Sequence, residues 1–197
     1  MIKSISENFY PSSSMLDLIV EYYNATYEML KFQKLFEGGV EDSIIIQIAI
    51  NKFRWCQISS EIFGSVMSAW HINNSFILAK FITKDDNVKT YPGQIQYFFT
   101  HTIDLSDRSI KYYLAYVRWY QHISSPNTRF YFSIDDEEQT CNVELWDIQF
   151  YPEMWDCIIL IHNILDWFIP VKYKKTSHKN AKEYLTINLI NKKFNIH

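Results

Sequence analysis

The sequence predicts a mainly β protein with one N-terminal helix, folded as a small antiparallel, partly closed barrel or strongly bent sheet. Three patterns predict this class. Residues 91–120 have the pattern of a β-hairpin, short apolar runs separated by polar turns recur after residue 40, and a helical period is confined to residues 15–36. Aromatic residues also make up 17% of the 197 residues while glycine occurs only four times, which is typical of thick β packing.

The hairpin begins with a strand whose side chains alternate in character. Odd positions from Ile95 to Leu105 are apolar or aromatic except His101, and even positions from 94 to 104 are polar except Phe98. A period of two predicts that one face of this strand lies in a core and the other in water. After a turn, residues 110–120 are largely apolar or aromatic on both faces, as expected for a sandwiched strand.

A helix is predicted upstream of the β region. Ser14 is the expected N-cap, and apolar residues recur after it at helical spacing until the Gly38-Gly39 pair, which is expected to end the helix. We therefore expect a polar leader at 1–13, an amphipathic helix at 14–37 and a single β-barrel-like domain at 40–196.

The expected β domain contains further strand candidates, each bounded by polar turn residues. Their short length and close spacing indicate an antiparallel arrangement. They lie at 43–50, 53–58, 62–66, 75–82, 129–134, 141–146, 156–161 and 183–190.

The cysteine content argues against a disulfide framework. Cys56, Cys141 and Cys157 are odd in number, widely spaced and never arranged as Cys-x-x-Cys, which favours a reducing compartment. The first residues lack a long apolar segment, and no apolar run is long enough to span a membrane. We expect an intracellular protein of the nucleus or cytoplasm that is neither secreted nor bound to a membrane.

The sequence shows no pattern for catalysis or cofactor binding. The six histidines lack a metal-ligand spacing such as His-x-x-x-His, and the four glycines form no phosphate-binding loop. The acidic clusters Asp85-Asp86 and Asp135–Glu138 lie between predicted strands, where solvation is the usual outcome. We therefore expect no catalytic residues, no metal, no cofactor and no enzymatic activity.

The C-terminal part of the chain is basic. Residues 172–197 contain seven lysines and one glutamate, although the whole chain has a net charge of −3. Lysines interleaved with hydroxyl and amide donors suit contacts to nucleic-acid phosphates, and the alternative is a solvated loop between two strands. The predicted binding residues are Lys172, Lys174, Lys175, Lys179 and Lys182.

Five aromatic residues are candidates for a second binding surface. An aromatic-lined pocket of this kind would hold a methylated lysine or a stacked base. The alternative is core packing, because an aromatic-rich barrel must fill its interior. The residues are Phe98, Tyr113, Trp119, Trp146 and Trp155.

A resemblance to known proteins rests on the order and spacing of several segments, namely Glu21–Tyr27, Phe63–Ser65, Ser75–Phe81, Tyr91–Phe99, Leu114–Tyr120, Cys141–Trp146 and Ile161–Leu165. In these segments the chain resembles an expanded, uncharacterised family of fungal proteins over most of residues 16–196. In strand order, and in the Pro92-Gly93 turn and Trp119-Tyr120 pair, it also resembles accessory β domains of transposon proteins and bromo-adjacent homology (BAH) domains. The resemblance implies a BAH-like fold and a transposon-derived origin, although nothing matches a transposase catalytic triad.

These patterns together predict a non-catalytic binding module that associates with chromatin or nucleic acid and derives from a mobile element. Its expected partner is a nucleic acid or a chromatin protein. The alternative is a protein–protein interaction or self-association module that uses the helix at 14–37 and an open sheet edge. A more distant alternative is a degenerate relative of a transposon-encoded enzyme.

Overall fold

The computed structural model confirms a mainly β fold with one N-terminal helix and a bent sheet. The structure describes residues 7–35, 42–82, 88–123, 143–176 and 181–188. Within these residues the sheet does not close into a barrel. The chain forms two compact units where one domain at 40–196 was expected: Met1–Trp119 with Pro152–Trp167, and Tyr120–Tyr151 with Phe168–His197.

The elements are numbered in chain order. The first unit contains the helix α1 (Ser13–Thr26) and the strands β1 (Glu7–Phe9), β2 (Phe32–Gln33), β3 (Ile44–Ile45), β4 (Ile50–Phe53), β5 (Trp55–Ile58), β6 (Glu61–Gly64), β7 (Phe76–Ile82), β8 (Val88–Asp104), β9 (Ser109–Trp119), β11 (Ile158–Leu160) and β12 (Ile164–Trp167). The second unit contains β10 (Val143–Asp147), β13 (Val171–Thr176) and β14 (Ala181–Asn188). Single turns of 3₁₀ helix lie at Ile72–Ser75, Trp155–Cys157 and Ile161–Asn163.

Most of the predicted strands are present. The hairpin predicted over 91–120 is formed by β8 and β9, and the candidates from 43 to 82 correspond to β3 through β7. Four strands were not predicted: β1 inside the expected polar leader, β2 inside the expected helix, β12, and β13 inside the basic segment. The candidate at 129–134 lies outside the described residues.

The long strand β8 organises the first unit because both of its edges are paired. Gly93 pairs with Ile77 of β7 on one edge and with Trp119 of β9 on the other. Further along, Phe98 pairs with β4 on the first edge and with β9 on the second. One edge of β8 is thus shared by β7 and β4, while the other runs along β9.

A β-bulge in the middle of β8 interrupts the predicted alternation of buried and exposed side chains. The register with β9 shifts between Ile95 and Tyr97, which leaves Gln96 as the extra residue. After the bulge Phe98 and Thr100, at even positions, are buried like Phe99, whereas Thr102 is half-buried and Asp104 at the end of the strand is exposed. The expected solvent face is therefore wrong for residues 98–100, where both faces of β8 are covered.

One face of the sheet is covered by α1. The helix packs its apolar residues on side chains from β8, β9 and β11. Any self-association through α1, as expected for the alternative function, would therefore have to use its polar face. The buried residues are Met15, Leu18, Ile19, Tyr22 and Tyr23 of the helix and Phe99, Ile103, Leu114 and Ile158 of the strands.

The helix begins close to the predicted residue but ends eleven residues before the predicted end at 37. Ser12, not Ser14, is the N-cap, and its hydroxyl accepts the N–H of Met15 at 3.3 Å. At the other end the Asn24 side chain accepts the N–H of Phe32 at 2.8 Å and donates to its carbonyl at 3.1 Å. These bonds reverse the chain, so Met29 is 93% exposed instead of continuing the apolar face.

The opposite face of the sheet is covered by the hairpin of β5 and β6. Cys56 and Phe63 of this hairpin pack with Phe98, Ala115 and other buried side chains of β7, β8 and β9. Gly93 allows Trp119 to enter this core, because a Cβ at Gly93 would lie 2.6 Å from the indole ring. Together with the core under α1, this core explains why aromatic side chains of the β8–β9 hairpin are buried on both faces of the sheet.

The second unit contains a sheet in the order β10-β14-β13. The central strand β14 is antiparallel to both neighbours, and Leu185 lies opposite Trp146 on one side and Lys172 on the other. The buried residues of this sheet are Glu144, Leu145, Trp146, Tyr184, Leu185 and Ile187.

A buried histidine connects the helix to the sheet. The Nε2–H of His101 donates to the carbonyl of Gln47 at 2.8 Å, so Nδ1 is the acceptor for the hydroxyl of Tyr23, also at 2.8 Å. Both ring nitrogens are satisfied in the neutral form. Burial lowers the pKa of His101, and this effect exceeds the opposing ones of the Gln47 carbonyl and of Asp104.

We predict that His101 makes stability fall as the pH decreases. Since its folded pKa lies below its unfolded pKa of about 6.5, the unfolded chain binds more protons between the two values, and stability is lost through this window. Urea unfolding at a series of pH values should show this slope in the wild type and a smaller one in His101→Gln. The exposed His162 provides the control variant His162→Gln, which should keep the wild-type slope. Equal slopes for wild type and His101→Gln would contradict the prediction.

Candidate functional site

The five aromatic residues predicted as a binding surface do not share one environment. Phe98, Trp119 and Trp146 are buried, so core packing, the alternative interpretation, holds for them. Tyr113 and Trp155 are each 42% exposed. The expectation that Phe98 faces outward is wrong, because the β5–β6 hairpin covers its face of the sheet.

Trp119 is fixed in its core by a specific hydrogen bond. Its indole N–H donates to the carbonyl of Asp156 at 2.9 Å, and its ring meets Phe81 edge to face at 5.0 Å between centroids. A ring with its polar atom satisfied and its faces packed has little surface to offer a ligand. Trp119 therefore serves the core of the first unit.

The described part of the predicted basic segment lies on the antiparallel strands β13 and β14 of the second unit, and residues 177–180 between them lie outside the described residues. Lys172 and Lys174 on β13 are exposed and share one face of the strand. Lys182 on β14 is exposed but forms an ion pair with Asp147 at 3.0 Å. The side chains of Lys175 and Lys179 lie outside the described residues.

Two kinds of catalytic group, a metal cluster and a reactive thiol, can be checked in the described residues. Within these residues no three His, Cys, Asp or Glu side chains lie close enough together to hold a metal ion. Burial raises the pKa of the free thiols of Cys56 and Cys157 to about 11, which leaves them protonated and unreactive near neutral pH. Cys141, Asp85-Asp86 and Asp135–Glu138 lie outside the described residues. The absence of activity, metal and cofactor stays a prediction.

An exposed apolar surface that the sequence reasoning missed lies between β6 and β7. Trp70 is 93% exposed, and three further apolar side chains beside it in the chain are also exposed. We call this surface the Trp70 patch. Large apolar side chains that gather on a surface, unlike scattered ones, mark interaction sites. The patch consists of Val66, Met67, Trp70 and Ile72.

The loop that carries the Trp70 patch is attached to β8. Pairing with β7 ends at Gln94 and pairing with β4 begins at Phe98, so the residues between them have no strand on that edge. The N–H of Val66 donates to the carbonyl of Ile95 there at 2.9 Å. The buried hydroxyl of Ser65 donates to the carbonyl of Arg54 at 2.6 Å. The loop thus occupies a gap in the sheet.

Hydrogen bonds within the loop fix the position of Trp70. The N–H of Ser68 donates to the carbonyl of Ser65 at 2.9 Å, and the N–H of His71 donates to the hydroxyl of Ser68 at 3.2 Å. The N–H of Asn74 then donates to the carbonyl of His71 at 3.0 Å, and its side chain donates to Ile62 at 3.0 Å. Trp70 therefore projects from a loop whose backbone is already ordered.

The Trp70 patch is free of fixed charge. Residues 64–75 contain no Asp, Glu, Lys or Arg. In the sequence, residues 64–75 have neither a period of two nor a helical period. The Asn73-Asn74 pair near the end of this segment is typical of a turn. Apolar residues in such an aperiodic segment were the available signal for an exposed binding loop.

The comparisons with known proteins add no relative. No protein-family model, curated protein or solved structure matches the chain. The resemblance to the fungal family, the BAH-like character and the transposon-derived origin therefore stay predictions. In the described part of the chain no helix combines the length and apolar character needed to cross a membrane.

We predict that Gly64→Ala destabilises the protein by about 1–3 kcal/mol, because the added Cβ would overlap the backbone carbonyl of His71 and force the loop to move. The measurement is urea unfolding, together with limited proteolysis of residues 64–75. A control in the same hairpin is Ser59→Gly, where φ is 54° and glycine should leave stability unchanged or raise it. Wild-type stability and protease resistance in Gly64→Ala would contradict the account of this loop.

Proposed function

We propose that the chain is a non-catalytic binding module whose partner is a protein with an apolar pocket for Trp70. The observation that carries the proposal is a tryptophan that is 93% exposed on a loop fixed by hydrogen bonds. Folding does not require this exposure, since the core of the first unit already holds its own aromatic residues. This proposal develops the protein–protein interaction alternative from the sequence.

The energetics of the Trp70 patch suit a binding hot spot. Aromatic side chains bury about 150–250 Å² each, and at about 25 cal/mol per Å² this is a gross gain of about 4–6 kcal/mol before the costs of association. Because the loop is already ordered, little of that gain is lost to fixing its backbone. Tryptophan is also enriched among the few residues that dominate protein interfaces.

The electrostatics of the patch favour a protein over other macromolecules. Binding to nucleic acid depends on lysine and arginine contacts to phosphates, and binding to anionic membranes depends on basic residues beside the apolar ones. Residues 64–75 supply neither. An uncharged, convex apolar surface instead fits an uncharged, concave one.

Association with nucleic acid or chromatin stays a prediction. Its support is the exposure of Lys172 and Lys174. The carboxylates of Glu183, opposite Lys174, and of Asp147, paired with Lys182, weaken the positive potential of β13 and β14. The geometry therefore favours the Trp70 patch over the basic segment as the main binding surface.

The test is photo-cross-linking at Asn73, which is exposed and lies beside the patch. A photoreactive residue at this position should capture a specific protein, and Trp70→Ala should abolish the capture. With the captured protein in purified form, Trp70→Ala should weaken binding by about 30-fold or more, as expected for a hot spot.

A matched control is available because Met29 is also 93% exposed. Met29→Ala removes as exposed an apolar side chain outside the patch and should leave cross-linking and affinity unchanged. Circular dichroism should show that both variants remain folded. Cross-linking that is independent of Trp70, or a Trp70-dependent binding to lipid vesicles in place of a protein, would overturn the proposal.

A further inference from the structure

A cavity in the first unit lies at the C-terminal end of α1. Its volume is about 400 Å³, and it opens to solvent. Tyr27, Leu30 and Phe32 contribute apolar side chains to its lining, and Glu28 and Lys31 contribute one charge of each sign. Small-molecule sites typically have a volume of about 300–1,000 Å³, an apolar lining and a few polar groups that orient the ligand. The cavity has these properties.

Hydrogen bonds at the end of α1 fix the walls of the cavity. The side chain of Asn24 accepts the N–H of Phe32 at 2.8 Å and donates to its carbonyl at 3.1 Å, which closes the loop of residues 27–31. The hydroxyl of Tyr27 is bonded to the hydroxyl of Tyr112 on β9. The rings of Tyr27 and Phe32 lie 5.5 Å apart between centroids. A ligand would find both rings already in place, which reduces the entropic cost of binding.

The end of the helix favours a positive charge in the cavity. α1 ends at Thr26, and its last turn contains no basic residue that would compensate the partial negative charge of the helix C-terminus. The carboxylate of Glu28 follows shortly after this end and lines the cavity. The face of an aromatic ring such as that of Tyr27 also attracts cations. An ammonium group of a ligand therefore suits this part of the cavity.

The opposite charge at the cavity is the ammonium group of Lys31. Glu28 and Lys31 are both exposed, and within the part of the chain that the structure describes they form no ion pair with each other or with another side chain. Both charges are therefore available to a ligand that carries one group of each sign. Because they are exposed, each contributes only modestly to affinity.

We propose that this cavity binds a small zwitterion with an apolar body, which is the chemistry of a free amino acid or a dipeptide with apolar side chains. Its ammonium group would lie beside Glu28, its carboxylate beside Lys31, and its apolar body against Tyr27, Leu30 and Phe32. The open cavity and its exposed charges suit a dissociation constant of about 0.1–10 mM. This inference goes beyond the proposed function and does not depend on the Trp70 patch.

The test is binding to the full chain measured by NMR, which detects weak complexes. The probes are L-leucine, L-methionine, L-phenylalanine and the dipeptide leucyl-leucine, and they should shift backbone amide signals of residues 24–33. Glycine lacks the apolar body and should not bind. N-acetyl-leucine lacks the ammonium group and leucinamide lacks the carboxylate, so each should bind about 2- to 5-fold more weakly than leucine.

Variants at the two charges test the orientation of the ligand. Glu28→Gln should weaken leucine binding by about 2- to 5-fold but should not weaken the binding of N-acetyl-leucine, which lacks the group that contacts Glu28. Lys31→Gln should have the same effect on leucine and should not weaken the binding of leucinamide. The matched control is Glu21→Gln with Lys80→Gln, which changes two exposed charges outside the cavity and should bind like the wild type. Thermal unfolding should confirm that all variants fold.

The source of the ligand follows from the probes that bind. Binding of the amino acids without the dipeptide supports a free amino acid, and the reverse result supports a peptide with both termini free. The proposal would be overturned if none of the probes bound at about 10 mM, or if the signals that shift lay outside residues 24–33. It would also be overturned if Glu28→Gln weakened leucine and N-acetyl-leucine equally. None of these variants lies in residues 64–75, so a negative result would leave the proposal for Trp70 standing.

Discussion

The rest of the first unit depends on the pairing of one long strand along both of its edges. β8 pairs with β9 over most of its length and gives its other edge first to β7 and then to β4. Its buried side chains, such as Phe98 and Phe99, project from opposite faces. A sheet with two apolar faces must be covered on both sides. α1 covers one face and the β5–β6 hairpin covers the other, so the positions of both follow from β8.

The same strand positions the candidate binding loop. On one edge of β8 the neighbour changes from β7 to β4, and the bulge at Gln96 lies at the same point of the strand as the gap between these two neighbours. The carbonyl of Ile95 in this gap needs a donor, and the N–H of Val66 provides it. The loop of the Trp70 patch is therefore attached directly to the central strand of the first unit. Its loop satisfies a backbone group of the sheet and presents a tryptophan as well.

The sequence predicted the elements that depend on local residue patterns. It did not predict the features that depend on contacts between residues far apart in the chain. The period of two predicted β8, and the continuous apolar and aromatic run predicted β9, because both patterns are properties of the strand itself. The bulge at Gln96 has no glycine or proline to signal it, so the orientation of Phe98 could not be predicted. The helix end depends on hydrogen bonds between Asn24 and Phe32, which only the folded chain brings together. The aperiodic segment around Trp70 indicated a loop, but the exposure of its apolar side chains depends on what the rest of the fold leaves uncovered.

The Trp70 patch lacks the charged side chains that usually keep an exposed apolar surface soluble. Residues 64–75 hold no Asp, Glu, Lys or Arg, although an exposed tryptophan lowers solubility. An apolar surface left without charge, on a loop held by several hydrogen bonds, is unfavourable for the isolated chain. The exposure of this uncharged surface is therefore the observation that supports the proposed protein partner.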